Sequence, residues 1–491
     1  MPSFRRKLAR LDRGPVESPG APDHRGAEGP AEGPAEGPPP SPPDGPPTAA
    51  TGAAEGSPRG EGVEGAGGHL DRLRARLAVA LRRESTGKAP AAAGDAPGMT
   101  AAHHDPDYRL ATKDYVTPWG PYHAIRVCHG PTHPVGVTTL TKALQASPEV
   151  LSLLGLTPAV ACCELAGALY LDTETTGLGT GTGNLAFLVG LCWYEPGRGQ
   201  FVLEQLFLRD PDDEVALLER VRERIATCEL IVSYNGKSFD MPVLRNRLVM
   251  NRLLPLPSRP ELDLLHLVRR VHARRSWRKS LTVVEHEVLG YGRGPDVAGE
   301  EVAERYLHYL RTGAEAGLDA VVAHNASDVL SLVALVGLYG EELDGTHTAH
   351  ALPAPSQAQA GPHREPIELT AMARVMRRAG ALDTAQEVAE LAVQRGAGAE
   401  GLRVRGEIAK ARGDKQQALE DYEAYAEQVS DPFVRLELAK LYEHFMRAPQ
   451  RALEVVELGT AENEADDEHR QARLRRKVAA LQAKPVTNGN G

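Results

Sequence analysis

Cysteine is scarce in this 491-residue sequence: Cys128, Cys162, Cys163, Cys192 and Cys228 include no CxxC pair and are followed by no pair of histidines at zinc-finger spacing. That excludes a disulfide framework and a structural zinc site, and leaves most of the cysteines as small core residues. Long apolar runs are also lacking. None is read as approaching the length of a membrane-spanning helix, and the N-terminus has no apolar segment of the signal-peptide kind. The chain is therefore expected to be cytoplasmic, with no membrane partner. An excess of positive charge is missing as well, since 56 Lys and Arg stand against 66 Asp and Glu for a formal net charge of -10. This argues against a globally basic nucleic-acid coat and leaves local patches open.

Glycine (49) and proline (37) are abundant instead, and they are concentrated. Residues 14–68 are dominated by Gly, Pro, Ala and Glu, with AEGP three times in tandem from Ala27 to Pro38. Such a composition cannot bury enough apolar surface to offset chain entropy, so residues 1–105 are expected to be disordered. Two short basic amphipathic pieces interrupt them, Phe4–Arg13 and His69–Arg83, the second with Leu70, Leu73, Leu77 and Leu81 at helical spacing. Each would dock on a partner or membrane surface, or else pack back or fray. With 42% hydrophobic residues, the rest of the chain is long enough for a sizeable core and for two to four domains.

The stretch LYLDTETTGLG, residues 169 to 179, ends an apolar run in two acids spaced one residue apart. Leu169, Tyr170 and Leu171 predict a buried strand, and alternate side chains on a strand share a face, so Asp172 and Glu174 point one way and Thr173 the other. Adjacent carboxylates repel. Their placement at the end of a core strand is costly unless a cation sits between them, which invites a hard metal with oxygen ligands. The alternative is a strand entering a turn whose acids are solvated.

Downstream, apolar strands alternate with amphipathic helices. Asn184–Tyr194 and Gln200–Leu208 read as two strands joined at Glu195–Gly199. A helix follows near Pro211, burying Val215, Leu217, Leu218, Val221 and Ile225, and then a short strand, Leu230–Ser233, ends in YNGKSFD at Asp240. The pattern predicts a mixed sheet flanked by helices, a fold in which active sites gather where strands end. Asp240 opens the next helix, Met241–Leu248, so it is either an N-cap or a ligand; Asp263 in LDLLHLVRRV is assigned mainly to capping. In the apolar helix Ala320–Tyr339, His324 and Asp328 lie one turn apart on one face, and together they require a polar partner or a metal to offset their desolvation.

Residues 269–279 read RRVHARRSWRK, six cations without an acid, around Trp277. If helical, Arg270, Arg274 and Arg278 align in a row suited to phosphates, with Lys279 beside them and Trp277 available to stack on a base; the alternative is a solvated helix end.

Taken together, Asp172 and Glu174 after a strand, Asp240 in YNGKSFD and Asp328 in HNASDVL resemble the four-acid signature of the DEDD 3′-to-5′ exonucleases, which share the ribonuclease H-like fold. SYNGKSFDMPVL is similar to the second motif of the proofreading exonucleases of family B DNA polymerases, and Leu169 to Tyr339 is similar to the YprB-like bacterial branch. Each motif is weak alone, while their order and spacing together are strong. In that superfamily a Tyr stands four residues before the last Asp, or a His five before; here a His holds the Tyr spacing, at position 324. The resemblance implies a nuclease acting on single-stranded nucleic acid with two divalent ions, Mg²⁺ or Mn²⁺, held by Asp172, Glu174, Asp240 and Asp328, and Asn235 near the strand.

The chemistry wants the same residues. Hydrolysing a phosphodiester requires an activated water and a stabilised leaving oxygen, which two divalent ions about 4 Å apart supply. Asp172 is expected to bridge both ions, Glu174 and Asp328 to bind the one that activates water, and Asp240 to act more distantly. His324 would accept the water's proton or merely orient the water.

From about Pro366 to Ala461 the chain changes character. Ala385, Ala418 and Ala452 close recurring Ala-rich segments at spacings of 33 and 34 residues, the period of tetratricopeptide-type (TPR-like) helical hairpins, which present a concave face to a protein partner; a plain helical bundle is the alternative. The expected organisation is a disordered region 1–105, an extension 106–165, an α/β ribonuclease H-like domain 166–345, a linker 346–366, an all-α repeat domain 367–480 and a tail 481–491. Three functions compete: a metal-dependent 3′-to-5′ exonuclease recruited through its repeats, a non-catalytic nucleic-acid-binding scaffold, and a structure-specific endonuclease.

Overall fold

The computed structural model describes residues 108–177, 183–293, 297, 299–341 and 365–483. The expectations for residues 1–105 and for most of the linker and tail lie outside the described residues.

A seven-stranded sheet forms the centre, in the order β1-β2-β7-β6-β5-β8-β9. Its strands are β1 (Lys113–Thr117), β2 (Gly120–His129), β5 (Ala168–Thr175), β6 (Ala186–Glu195), β7 (Gln200–Phe207), β8 (Leu230–Ser233) and β9 (Glu261–Asp263). A two-stranded ribbon, β3 (Pro134–Val135) and β4 (Thr138–Thr139), stands apart from it. Strands β1, β2, β7, β6 and β5 pair antiparallel in turn, whereas β8 and β9 join β5 in parallel. The sheet is therefore mixed, and its parallel part needs helical crossovers. Residues 113–129, to which no chemistry is assigned, extend the sheet at its β7 edge.

The helices of this region are α1 (Thr141–Leu144), α2 (Pro148–Gly155), α3 (Glu214–Thr227), α4 (Asp240–Met250), α5 (Leu264–Val271), α6 (Leu281–Val284), α7 (Gly299–Thr312) and α8 (Leu318–Tyr339). Consecutive residues of β7 show that two of them cover opposite faces of the sheet, because neighbouring side chains on a strand point opposite ways. Glu204 meets Arg220 of α3, while Gln205 donates to Val322 O and Asn325 of α8. Glu204 is wholly buried and lies directly across from Arg126 in β2, so two guanidinium groups satisfy it.

Helix α8 corrects one expectation. At 22 residues it is long and apolar enough to cross a membrane by length and composition, although 83% of its most apolar window is buried inside the fold. Its apolar surface is spent on β5, β6 and β7 on one side and on α1 and α7 on others, as expected of a central core helix.

Beyond residue 365 the chain is all helix: α9 (Pro366–Arg378), α10 (Leu382–Gln394), α11 (Gly398–Arg412), α12 (Lys415–Ala426), α13 (Pro432–His444), α14 (Pro449–Glu457) and α15 (Glu464–Gln482). These pack as successive antiparallel pairs. Ala385, Ala418 and Ala452 sit on the second helix of each pair and are completely buried, where the missing side-chain bulk lets the paired helices approach closely. The first pair rests on α5 and α2.

That packing corrects the reading of the basic run. Helix α5 ends at Val271, so Arg270, Arg274 and Arg278 do not form a helical row. Arg274 pairs with Glu400, and Arg275 with Glu365 and Glu368, which ties the run to the helical region. Lys279 lies 4.0 Å over the Trp277 ring and donates to Arg275 O and Trp277 O, and His272 packs against the same indole.

Candidate metal centre

The apolar start of β5 is buried on both faces, which carries its polar end into the middle of the sheet. There Asp172 and Glu174 are half-buried on one side while Thr173 and Thr175 are buried on the other, the alternation of an extended strand. A register shift between Glu174 and Thr175 ends the regular pairing with β6 just past the acids. Asp172 faces Gly190 across the ladder, and the glycine is required: a Cβ there would collide with Asn325 Oδ1. Asn325 is completely buried. Its Nδ2 donates to Asp172 Oδ2 at 2.8 Å, and its Oδ1 accepts from Gln205 Nε2 at 2.9 Å. A buried polar chain thus runs from β7 through α8 to the first acid and fixes that carboxylate's orientation.

Asp240 arrives from the parallel side. Strand β8 ends at Ser233, and the chain turns through Asn235, whose φ of 67 places it in the left-handed region that Asn tolerates. A side chain at Gly236 would collide with Ser233 Oγ, so the turn packs flat against the strand end. Asp263 holds the turn from beneath. Besides capping α5 through Leu265 N, it accepts from Asn235 N at 2.8 Å and Lys237 N at 3.3 Å. The turn then delivers Asp240 to β5, where Thr173 Oγ1 donates to Asp240 Oδ1 at 2.5 Å.

His324 and Asp328 come from α8, one turn apart. His324 Nε2 is 3.3 Å from Asp328 Oδ2 and 3.7 Å from Glu174 Oε1. One ligand atom from each of Glu174, His324 and Asp328 lies within 4.8 Å of the others, a spacing that fits a single cation. Arg293 closes this side. Its Nη2 pairs with Asp328 and, at 2.5 Å, with the completely buried Glu285, and its Nη1 donates to His324 Nδ1 at 3.2 Å. A guanidinium can only donate, so in this arrangement Nδ1 is the bare nitrogen and His324 directs its N–H at Nε2 toward the carboxylates.

The acids are under electrostatic stress. Burial, then the neighbouring Asp328, Asp240 and Glu174, push the Asp172 carboxyl well above the usual carboxylate range, against the hydrogen bond from Asn325. Burial raises Glu174 to about 7, with His324 opposing. Burial likewise raises Asp240 to about 6, with the Thr173 hydroxyl opposing. Three carboxyls crowded together and all pushed up from their ordinary values, with Arg293 and His324 the cationic groups beside them among the described residues, are a donor set that a hard divalent cation would relieve.

Sequence reasoning brought Asp172, Glu174, Asp240, His324 and Asp328 forward, and the structure gathers all five. Asn235 lies on the turn before Asp240, with its side chain exposed. Arg270 lies in the last turn of α5 and Arg274, Trp277, Arg278 and Lys279 beyond it, with Arg274 engaged by Glu400 and Lys279 by the Arg275 and Trp277 carbonyls. Residues the reasoning missed are Asn325, Gln205, Thr173, Glu285 and Arg293. Asn325 alone carried a sequence signal: a polar residue facing the core of an otherwise apolar helix, next to His324.

Residues 169–339 match the family model of the RNase_H superfamily. Over 168 residues the chain is 39% identical to a Bacillus subtilis (strain 168) protein named "Uncharacterized protein YprB", a match covering 34% of this chain and 40% of that protein. The chain thus spans well under half the length of that relative. The matched stretch begins at β5, ends at α8 and contains every residue of the site; β1, β2 and the C-terminal helices lie outside it. This segment has a ribonuclease H-like fold and is similar to YprB, and the superfamily it matches points to nuclease-type chemistry on nucleic acid with divalent ions.

Proposed function

We propose that this chain is a metal-dependent nuclease that removes nucleotides from the 3′ end of single-stranded nucleic acid, recruited by a protein partner bound to its TPR-like repeats. The observation that carries the reading is the convergence of Asp172, Glu174, Asp240 and Asp328, from three separate segments, on one site beside His324. Four carboxylates fit two Mg²⁺ or Mn²⁺ ions, which when bound supply a nucleophilic water and neutralise charge on the leaving oxygen. Asp172, one of whose oxygens Asn325 holds, would offer its other oxygen to an ion. Glu174 and Asp328, with His324 beside them, would hold an ion as well. While Arg293 donates to Nδ1, His324 acts as a hydrogen-bond donor that orients water or phosphate; it becomes a proton acceptor at Nε2 only once that hydrogen bond is released and the proton moves to Nδ1.

The ion pair between Arg293 and Asp328 favours a second reading, a binding scaffold in which the arginine permanently takes the place of a cation. One experiment separates the two. Purified protein is incubated with 3′- and 5′-labelled single-stranded DNA and RNA in Mg²⁺, Mn²⁺ or chelator, beside an Asp172→Ala, Glu174→Ala double variant. Metal-dependent laddering from the 3′ end, absent in the variant, is the expected result. Internal cuts would identify an endonuclease instead. Intact substrate that both proteins bind equally well would leave the scaffold.

A further inference from the structure

The end of α5, helix α9 and the start of α11 enclose a cavity of about 560 Å³. Apolar side chains, among them Ile367, Ala371 and Val375, make much of its wall. Five guanidinium groups line it, from Arg270, Arg274, Arg275, Arg374 and Arg378, against two carboxylates, Glu365 and Glu400. Both acids are already engaged. Glu400 is shared by Arg274 and Arg374, and Glu365 pairs with Arg275. Arg270 donates its Nη1 to the carbonyl oxygens of Leu154 and Gly155, at 3.2 and 3.0 Å, and no carboxylate among the described residues hydrogen-bonds it. Arg378 is exposed and makes no hydrogen bond or ion pair among the described residues. After burial, the charge of Arg378 is the next cause that holds the Arg270 pKa below its ordinary value. The two guanidinium groups line one apolar wall and repel each other by more than Asp263 offsets at Arg270, and an anion between them removes the cost.

Helix α5 joins this cavity to the metal centre. Its N-cap, Asp263, fixes the turn that presents Asp240, and its last turn carries Arg270 into the cavity; eight helical residues span only about 12 Å. Guanidinium forks suit phosphate oxygens, and apolar wall beside positive charge suits the alternating bases and phosphates of a single strand. We infer that this cleft between the ribonuclease H-like domain and the first helical pair binds the phosphate backbone of a single-stranded nucleic acid, a few nucleotides from the end held at the acids. The inference rests on the nuclease reading for the choice of ligand, and the cleft's own test does not require hydrolysis.

Fluorescence anisotropy in chelator, with a 5′-labelled 15-nucleotide single strand and a 5′-labelled trinucleotide, reads binding apart from cleavage. Arg378→Glu is expected to weaken binding of the long strand roughly tenfold and to flatten the dependence of log K on log salt by about 0.7 for each phosphate no longer neutralised, with the trinucleotide unaffected. Arg378→Lys should retain most of the affinity, and an unchanged melting curve for both variants shows that the exposed position carries no fold. If Arg378→Glu binds the long strand like wild type with the same salt slope, the cleft is not on the strand's path and the inference falls, whatever the nuclease assay shows. If the long strand is bound and loses affinity in Arg378→Glu while no substrate is ever cut, the cleft stands and the hydrolytic reading fails.

Discussion

Buried acids behave in opposite ways in two regions of this molecule, the C-terminal helices and the end of β5. In the helical region, Glu443 is buried and would be pushed up by burial, but Arg473 and Lys477 outweigh that and hold its carboxyl down at about 2. Elsewhere in the ribonuclease H-like region, Glu204 of β7 and Glu214 of α3 are just as buried and meet Arg126, Arg220 and Arg247. At the end of β5 the same chemistry runs the other way, and Asp172, Glu174 and Asp240 are all pushed up. A structural acid is given its cation by the fold. Asp172, Glu174 and Asp240 are left short of one, a cost to stability that an outside cation or a substrate would offset.

The sharpest way to break this contrast is to remove the stressed acids. Asp172→Ala with Glu174→Ala should lower metal-dependent cleavage by roughly a thousandfold or more, measured as initial rates on a 3′-labelled strand. The same loss of repulsion should leave the metal-free protein as stable as wild type or more so in a thermal melt, and abolish the melting shift expected with Mn²⁺ in wild type. A protein that is strongly destabilised instead would show that these acids are compensated after all.

Next in size is Asn325→Leu, which leaves Gln205 and Asp172 without their buried partner. It should cost about 1–3 kcal/mol of stability by denaturant titration and lower cleavage at saturating substrate more than it alters KM, because Asp172 loses its orientation.

The pH dependence tests the direction of the shifts. In the metal-free protein Glu174 holds its proton up to about 7 and Asp240 up to about 6, whereas in the unfolded chain both release it near the ordinary carboxylate values. Between those limits the native state binds more protons than the unfolded one, so stability must fall as pH rises through that window. A cation has to expel the same protons, so the Mn²⁺-induced melting shift should grow from about pH 5.5 to about pH 7.5. A shift that is flat with pH would place the ion elsewhere.

Glu443 supplies the opposite sign and a smaller effect. Its carboxyl is held low, so its contribution is present above the unfolded value and lost as pH falls toward about 2. Glu443→Gln should cost about 1–2 kcal/mol at neutral pH, read by thermal melting, and leave cleavage rates untouched.

How much of this was legible in the chain depends on how far the relevant partner lies along it. Asp172 and Glu174 are two residues apart on one strand, so alternation alone puts them on one face, and His324 and Asp328 are one helical turn apart, so helix geometry does the same. The length of the hydrophobic helix misled only in one respect: α8 reaches bilayer-spanning length because it is buried on several sides at once. The basic run from Arg269 to Lys279 was less transparent. A charge run does not show where its helix stops, nor that Glu365, Glu368 and Glu400, some 90 to 126 residues later, take up Arg274 and Arg275.

The sequence by itself determined the local pairings: strand, turn and helix periods, the order of the four acids, and the spacing of Ala385, Ala418 and Ala452 that sets the helical pairs. Only the tertiary structure decided which buried charges are compensated. Glu204 finds two arginines, Glu285 and Asp328 share Arg293, and Asp172 finds only an amide, because the cost of a buried charge depends on what approaches it through space, and residues at every one of those distances look alike along the chain.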